Sequence, residues 1–403
     1  MSKAADLRPA TRVVRAGIES DREHGAVVPP IHLSTTFAFD GLGGKRAYDY
    51  TRSGNPTRDH LARALADLEG GANAVVTSTG MAAVTLVLQL LKPGDRVVAT
   101  HDCYGGTHRA LVHLARRGHF DVEFCDLTRP GHLERALEQP ARLLWVETPS
   151  NPLLRVTDIA QAARAARGAG TLLVVDNTFL SPALQLPLSL GADLVVHSTT
   201  KYLNGHSDVV GGAVVAKEGA LGDELAWWAN CLGLTGSPFD SYLTLRGLRT
   251  LHPRMRIHQE NAARIATALV SNALVTRVYY PGLPDHPGHK IACLQQSGFG
   301  GMVSFDLRGR ERAVKAFLSG LRCFSLAESL GGVESLIAHP ATMTHAAMDP
   351  AARDRAGIHD SLLRLSVGIE DGDDLVAAIE EGLERVGTMM ALRTSRASTA
   401  ASA

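Results

Sequence analysis

Short apolar runs alternate with helical stretches between Leu61 and about residue 216, and no other feature constrains the fold as much. LARALADLEG reads as an amphipathic helix ended by Gly70, AVVTSTG as a strand entering a polar turn, and MAAVTLVLQLL as a buried helix closed by Pro93-Gly94. DRVVAT, VEFCD, RLLWVETP, TLLVVDNT, DLVVHSTTKY and GAVVA are further strand-like runs bounded by turns, with helices such as DIAQAARAARGAG among them. Nearly continuous apolar strands interleaved with helices predict an α/β fold with a mostly parallel sheet covered on both faces. Near residue 250 the texture changes. A long amphipathic helix, RMRIHQENAARIATALV, is followed by VTRVYY, GGMVSFDL, RAVKAFLSGL and LLRLSVGI, then a helix from Asp374 to about Met390, which reads as a smaller α+β domain. The expected organisation is an N-terminal arm over 1–60, an α/β domain over 61–255, an α+β domain over 256–392 and a polar, disordered tail over 393–403.

Lys plus Arg equals Asp plus Glu, 41 against 41, which argues against a dedicated partner such as nucleic acid or an anionic membrane. The longest apolar stretches fall far short of a bilayer span, and the N-terminus lacks the apolar core of a signal peptide, so a cytoplasmic location is expected. The five cysteines include no CxxC pair, so neither a disulfide framework nor a zinc site is expected. Cys103 lies among His101, Asp102 and His108, but the group reads as a strand-to-helix loop and no metal site is assigned.

Open parallel sheets bind ligands beyond the carboxyl ends of their strands. Three such ends form a set. Ser78-Thr79-Gly80-Met81 leads into a helix, where free backbone N–H groups suit a phosphate and Gly80 allows close approach; a capped small-residue turn reads equally well. Asp176 follows Leu172–Val175 and either caps the loop at Asn177-Thr178 or faces the pyridine nitrogen of pyridoxal phosphate (PLP). Lys201 follows Ser198-Thr199-Thr200 at the end of the next strand, where desolvation would make its amine nucleophilic. No GxGxxG, GxxxxGK[ST] or GxSxG motif competes with this set.

These residues sit in segments that resemble the Cys/Met-metabolism PLP enzymes: VVPPIHLSTTF, YDYTRSGNPTR, LEGGANAVVTSTGMAA, HDCYGGTHR, VETPSNPLLRVTDI, VVDNTFLSPALQ, LGADLVVHSTTKYLNGHSDVVGG, SLAESLGGVESL and LRLSVGIEDGDDL. The likeness runs from about residue 10 to 385. Within the family the chain is most similar to the bacterial cystathionine γ-synthase branch, through ELAWWANCLGLTGSPFDSYLTLRGLRTL and HDCYGGTHR. The resemblance implies a PLP-dependent, aspartate-aminotransferase-like fold (fold type I) with a seven-stranded central sheet.

It also implies roles. Lys201 holds the cofactor as a Schiff base and moves protons, Asp176 pairs with the ring nitrogen, and Tyr104 stacks on the ring and assists proton transfer as a second catalytic residue. Gly80, Met81, Ser198 and Thr200 bind the phosphate, Asn151 supports cofactor and substrate, and Tyr50 and Arg52 reach the cofactor of a neighbouring subunit. Arg364 takes the substrate α-carboxylate with Ser329 beside it. Glu328 reads either as an acid of the γ-chemistry or as a structural acid, and Asp49 and Arg109 lie near the distal end of the substrate. The implied partners are further copies of the chain, as a tetramer of two dimers, and amino-acid substrates. The implied reaction is γ-replacement, in which O-succinyl- or O-acetyl-homoserine and cysteine give cystathionine. The alternatives are γ-elimination of cystathionine, as in a cystathionine γ-lyase, and, ranked below it, a non-catalytic PLP-binding protein. Ser53 stands where some bacterial synthases carry a second arginine beside Arg52, a departure that brings an acetyl donor, or cystathionine cleavage, forward.

Overall fold

The computed structural model describes residues 7–346, 353 and 356–401, the last nine of these by backbone alone. The chain forms two compact units. The first comprises the chain through Thr148, Thr157–Pro253 and Gln295–Ser297; the second comprises Pro149–Val156, Arg254–Leu294 and the chain from Gly298. The change of texture read near residue 250 thus coincides with the break at Pro253/Arg254, but the segment 149–156, which carries Asn151, belongs with the second unit.

The first unit holds a seven-stranded sheet built from β1 (Asn73–Thr77), β2 (Arg96–Thr100), β3 (Asp121–Cys125), β4 (Leu143–Glu147), β5 (Leu172–Asp176), β6 (Leu194–His197) and β7 (Gly212–Ala216), in the order β1-β7-β6-β5-β4-β2-β3. β7 is antiparallel to both neighbours and the remaining pairs are parallel. Each strand-like run of the sequence is one of these strands. Their apolar continuity has a physical cause: Val97, Val98, Leu143–Val146, Leu173–Val175, Leu194–Val196 and Ala213–Ala216 are all buried, as a sheet covered on both faces requires.

Helix Pro56–Glu69 begins five residues before the Leu61 start expected from the apolar pattern. Asn55 caps it by accepting from the N–H of Thr57 and Arg58, Pro56 takes the first position, and Gly70 ends it in the left-handed conformation at φ 75°. The run Ser53-Gly54-Asn55-Pro56 is therefore loop only as far as the cap.

The second unit carries a five-stranded sheet of β8 (Val275–Tyr279), β9 (Met302–Leu307), β10 (Phe324–Leu326), β11 (Ser335–Ala338) and β12 (Leu362–Ser366), in the order β10-β11-β12-β9-β8. Helices Leu251–Val270, Arg310–Leu318 and Gly372–Ala401 accompany it. The last runs well past Met390, and the polar stretch from 393 continues it as far as Ala401. That stretch holds no Gly or Pro, and its Ala, Arg, Ser and Thr leave a helix nothing to break on.

The turn that carries Lys201 is fixed by its backbone. Lys201 N–H donates to Ser198 O, Asn204 N–H to Thr199 O and Gly205 N–H to Lys201 O. A Cβ on Gly247, in helix Pro238–Leu248, would lie 2.0 Å from Asn204 O, so only glycine lets that helix lie against the turn. Gly247→Ala is expected to cost about 1–3 kcal/mol in urea unfolding, as an overpacked site does, and to loosen the lysine turn.

Candidate active site

The ends of β5 and β6 are tied together through one threonine. Asp176 Oδ1 accepts from Thr178 N–H at 3.0 Å and from Thr178 Oγ1 at 2.6 Å, and Thr178 Oγ1 in turn accepts from Ser198 N–H at 3.0 Å. Both donors fall on one carboxylate oxygen, which leaves Oδ2 available to a ring N–H. Burial pushes the Asp176 carboxyl above its ordinary value, against the two Thr178 bonds and the charge of His197. A half-buried acid whose ionisation is resisted by its surroundings is a carboxylate short of a cation.

That raised value predicts a stability effect. With the folded value above the unfolded one, ionised Asp176 weakens the cofactor-free fold once pH exceeds the ordinary carboxylate range, and the penalty vanishes below it, where the acid is protonated in both states. Asp176→Asn keeps an oxygen for Thr178 and is expected to raise the melting temperature of cofactor-free protein near neutral pH. The gain should close as pH falls through the carboxylate range, which a series of thermal melts would show.

At the end of β1, Thr79 caps helix Gly80–Leu88, its hydroxyl accepting from Ala82 N–H at 2.8 Å. The N–H groups of Gly80 and Met81, in the first turn, have no acceptor within the helix. A Cβ on Gly80 would meet Ser198 Cβ at 2.8 Å and Oγ at 2.9 Å, so glycine here is what brings the helix N-terminus and the Ser198 hydroxyl together. This cradle of amide donors and a hydroxyl fits a phosphate. Thr200 is differently engaged: its hydroxyl donates to Gly211 O at 3.2 Å and accepts from Gly211 N–H at 3.0 Å, so its proton is already committed to the backbone.

Tyr104 precedes helix Gly105–Arg116 with its ring nearly half exposed. Its N–H donates to Glu147 Oε2 at 2.6 Å, and Glu147, ending β4, is buried. A Cβ on Gly106 would lie 2.5 Å from the Tyr104 ring and 2.8 Å from Met81 Sδ, so both side chains crowd that glycine. The phosphate cradle, the acid at the β5 end, the exposed aromatic face and a half-buried Lys201 all belong to the first unit, and together they fit PLP.

The arm loop is also built in. Arg58, buried, donates to Thr51 O at 2.6 Å, Arg52 O at 3.2 Å and Gly236 O at 3.1 Å, and thereby fixes the segment that carries Tyr50 and Arg52. Tyr50 is nearly half exposed; Arg52 lies over its ring and donates to Asn230 Oδ1 at 3.0 Å. Asp49 is held below the usual carboxylate range by Lys45, Ser53 and Tyr50 N–H. Ser53 donates to Asp49 Oδ1 and to Tyr50 O, so at this position the loop is bound back on itself. Arg109 is exposed on its helix.

In the second unit Arg364 lies in β12 between Ser304 and Ala338 and is 3% exposed. Its Nη1 donates to Asn151 Oδ1 at 2.8 Å and its Nη2 to Ser329 O at 2.8 Å. Ser329 adopts φ 96°, a strained value for a residue with a Cβ, and presents the carbonyl that holds the guanidinium. Glu328 beside it is exposed. The sequence reading missed Glu147 and Arg58, and it named Thr178 only as a loop partner of Asp176, a contact that is present. Glu147 could have been found by the argument that found Asp176, since it too is an acid ending an apolar strand.

A profile described as Cys/Met metabolism PLP-dependent enzyme matches residues 10–384. The chain is 59% identical over 376 residues to cystathionine gamma-synthase of Escherichia coli, covering 93% of this chain and 97% of that one. It is 46% identical to cystathionine gamma-lyase of Dictyostelium discoideum, over 96% of this chain and 100% of the other. A crystal structure of cystathionine gamma synthase from Xanthomonas oryzae pv. oryzae in complex with cystathionine superposes with TM-score 0.94 at 62% identity, covering 95% of this chain and 99% of that one. The chain belongs to the Cys/Met metabolism PLP-dependent enzyme family.

Proposed function

We propose that the protein is a cystathionine γ-synthase, which joins an O-acylhomoserine, succinyl or acetyl, to cysteine by γ-replacement. The supporting observation is graded similarity on a complete PLP constellation: identity is 59% to the Escherichia coli synthase and 46% to the Dictyostelium lyase, over nearly the full length of each. When bound, PLP supplies an electron sink for charge developed on the substrate carbon chain.

The chain's own residues do the rest. Gly80 and Met81 N–H groups and the Ser198 hydroxyl hold the phosphate, with Thr200 set behind them on Gly211. Asp176 Oδ2 would hold the ring nitrogen's proton, and the Tyr104 ring would stack on the cofactor. Lys201 would hold the cofactor, and its amine would take the Cα proton and move protons to and from Cβ. Arg364, oriented by Asn151 and by Ser329 O, receives the α-carboxylate through its guanidinium edge. Glu328 receives the second amino group, and Asp49 and Arg109 serve the distal end of the substrate. Tyr50 and Arg52 complete a neighbouring copy's phosphate site, so the active form is a homo-oligomer, a tetramer of two dimers, in the cytoplasm. Among the described residues no helix is long and apolar enough to cross a membrane.

The test is to incubate PLP-loaded protein with O-succinyl- or O-acetyl-homoserine plus cysteine, and separately with cystathionine alone, and to quantify cystathionine and 2-oxobutyrate in both. Cystathionine made faster from a donor than it is cleaved is the expected result. Rapid release of 2-oxobutyrate from cystathionine with little synthesis would establish the lyase instead.

A further inference from the structure

Side chains alternate between the two faces of a strand, so at the ends of β5 and β6 the residues Asn177 and His197 turn away from the face that Asp176 and Ser198 occupy. On that hidden face sits an acid–imidazole pair that no step of the reaction uses. His197 Nε2 lies 2.6 Å from Glu69 Oε1, and Asn177 Nδ2 donates to the same oxygen at 2.9 Å. Asn177 is locked in turn by Gln185, which accepts at its carbonyl from Asn177 Nδ2 and donates from Nε2 to Asn177 Oδ1. His197, Asn177, Gln185 and Glu69 are all at most 1% exposed.

The arrangement is expensive. Glu69 is the last residue of its helix, the end where the helix dipole disfavours an anion. Among the described residues, Glu69 Oε2 and His197 Nδ1 have no hydrogen-bond partner. An apolar pair of similar size would fill this space at no such cost. What the pair has is its location: Asn177 N–H bonds Val196 O, which places Asp176 and His197 on adjacent strands, one residue out of register.

On the assignment of Asp176 to the ring nitrogen, we propose that Glu69 and His197 are positioning residues for that acid. The Glu69 carboxylate pairs with His197 Nε2 at 2.6 Å, and this pair behind the sheet favours the ionised form of Asp176, so that Asp176 retains the proton of the ring nitrogen. Burial works against the ionisation of Asp176, and only the Thr178 bonds and the charge of His197 offset it. The buried Cys103 thiol is pushed up by burial first and then by Glu147, Asp102 and Asp176, so three carboxylates share that neighbourhood. Thr178 supplies neutral donors, and His197 is the group whose positive charge bears on Asp176.

The test uses holoenzyme carrying Glu69→Gln or His197→Gln, read by pH titration of the cofactor's visible absorbance, with thermal unfolding alongside. A ring nitrogen that loses its proton withdraws less charge from the linkage to Lys201, and that linkage then keeps its own proton to higher pH. Both variants are expected to move the absorbance midpoint upward by about one pH unit and to weaken PLP binding about tenfold. Asp176→Asn, titrated in parallel, is expected to shift at least as far. A shift in Asp176→Asn with none in either pair variant overturns the inference and leaves the Asp176 assignment standing, whereas no shift in Asp176→Asn overturns that assignment itself. If the single variants do not fold, the double variant Glu69→Leu/His197→Leu removes the pair without stranding a buried charge. The same upward shift is expected of it, and an unmoved midpoint in that folded protein overturns the inference.

Discussion

Lys201→Ala is expected to abolish the visible absorbance that marks covalently held PLP and to lower cystathionine formation by on the order of 10⁴-fold. The loss is large because one amine is asked to do two things. On the proposed roles it would both anchor the cofactor and serve as the base for Cα and Cβ. The turn that carries it is set by Ser198 O, Thr199 O and the packing of Gly247 against Asn204, none of which depends on the lysine side chain. The variant should therefore fold and should still bind PLP through the cradle at Gly80, Met81 and Ser198, reversibly and without the covalent spectrum. Absorbance before and after gel filtration, with a single-turnover assay, checks both halves. A variant that kept its covalent spectrum would move the linkage to another lysine.

The second large effect is at Arg364. Arg364→Met is expected to lower kcat/KM by about 10²–10⁴-fold, equivalent to losing two charge-assisted hydrogen bonds at roughly 1.5–3 kcal/mol each. Most of the loss should appear in KM, because the carboxylate is held in ground state and transition state alike. Removing the guanidinium also strands Asn151 Oδ1 and Ser329 O, which it now holds at 2.8 Å each, so some loss of melting temperature is expected. Arg364→Lys should recover little, since an ammonium cannot serve Asn151, Ser329 and a bidentate carboxylate together. The cofactor spectrum without substrate should be unchanged in both variants, which separates a substrate role from a cofactor role.

Much of this was legible in the sequence. The strands of the first unit announced themselves as apolar runs because a sheet covered on both faces has no polar side to show. Asp176 and Lys201 stood out because a charge at the end of such a run needs a reason. Helix Pro56–Glu69 was foreseen, but its start was placed at the first apolar residue when Asn55-Pro56 carried the capping signal. What stayed hidden depends on pairs far apart in the chain: Glu147 with Tyr104 N–H, 43 residues away, Arg58 with Gly236 O, 178 away, and Glu69 with His197, 128 away. A sequence shows that Glu69 ends a helix; it does not show that the helix end is buried beneath the strand that leads to Lys201. Thr200 shows the converse. Its alternation with Ser198 paired the two as phosphate ligands, but the backbone of Gly211 claims its hydroxyl.

Borohydride reduction of the PLP-loaded protein, followed by peptide mass mapping, tests the central claim most directly. The account predicts one stable pyridoxyl adduct, on Lys201, in the peptide that contains HSTTKYLNGHS. An adduct on a different lysine, or a protein that takes up PLP and shows no adduct after reduction, would contradict it.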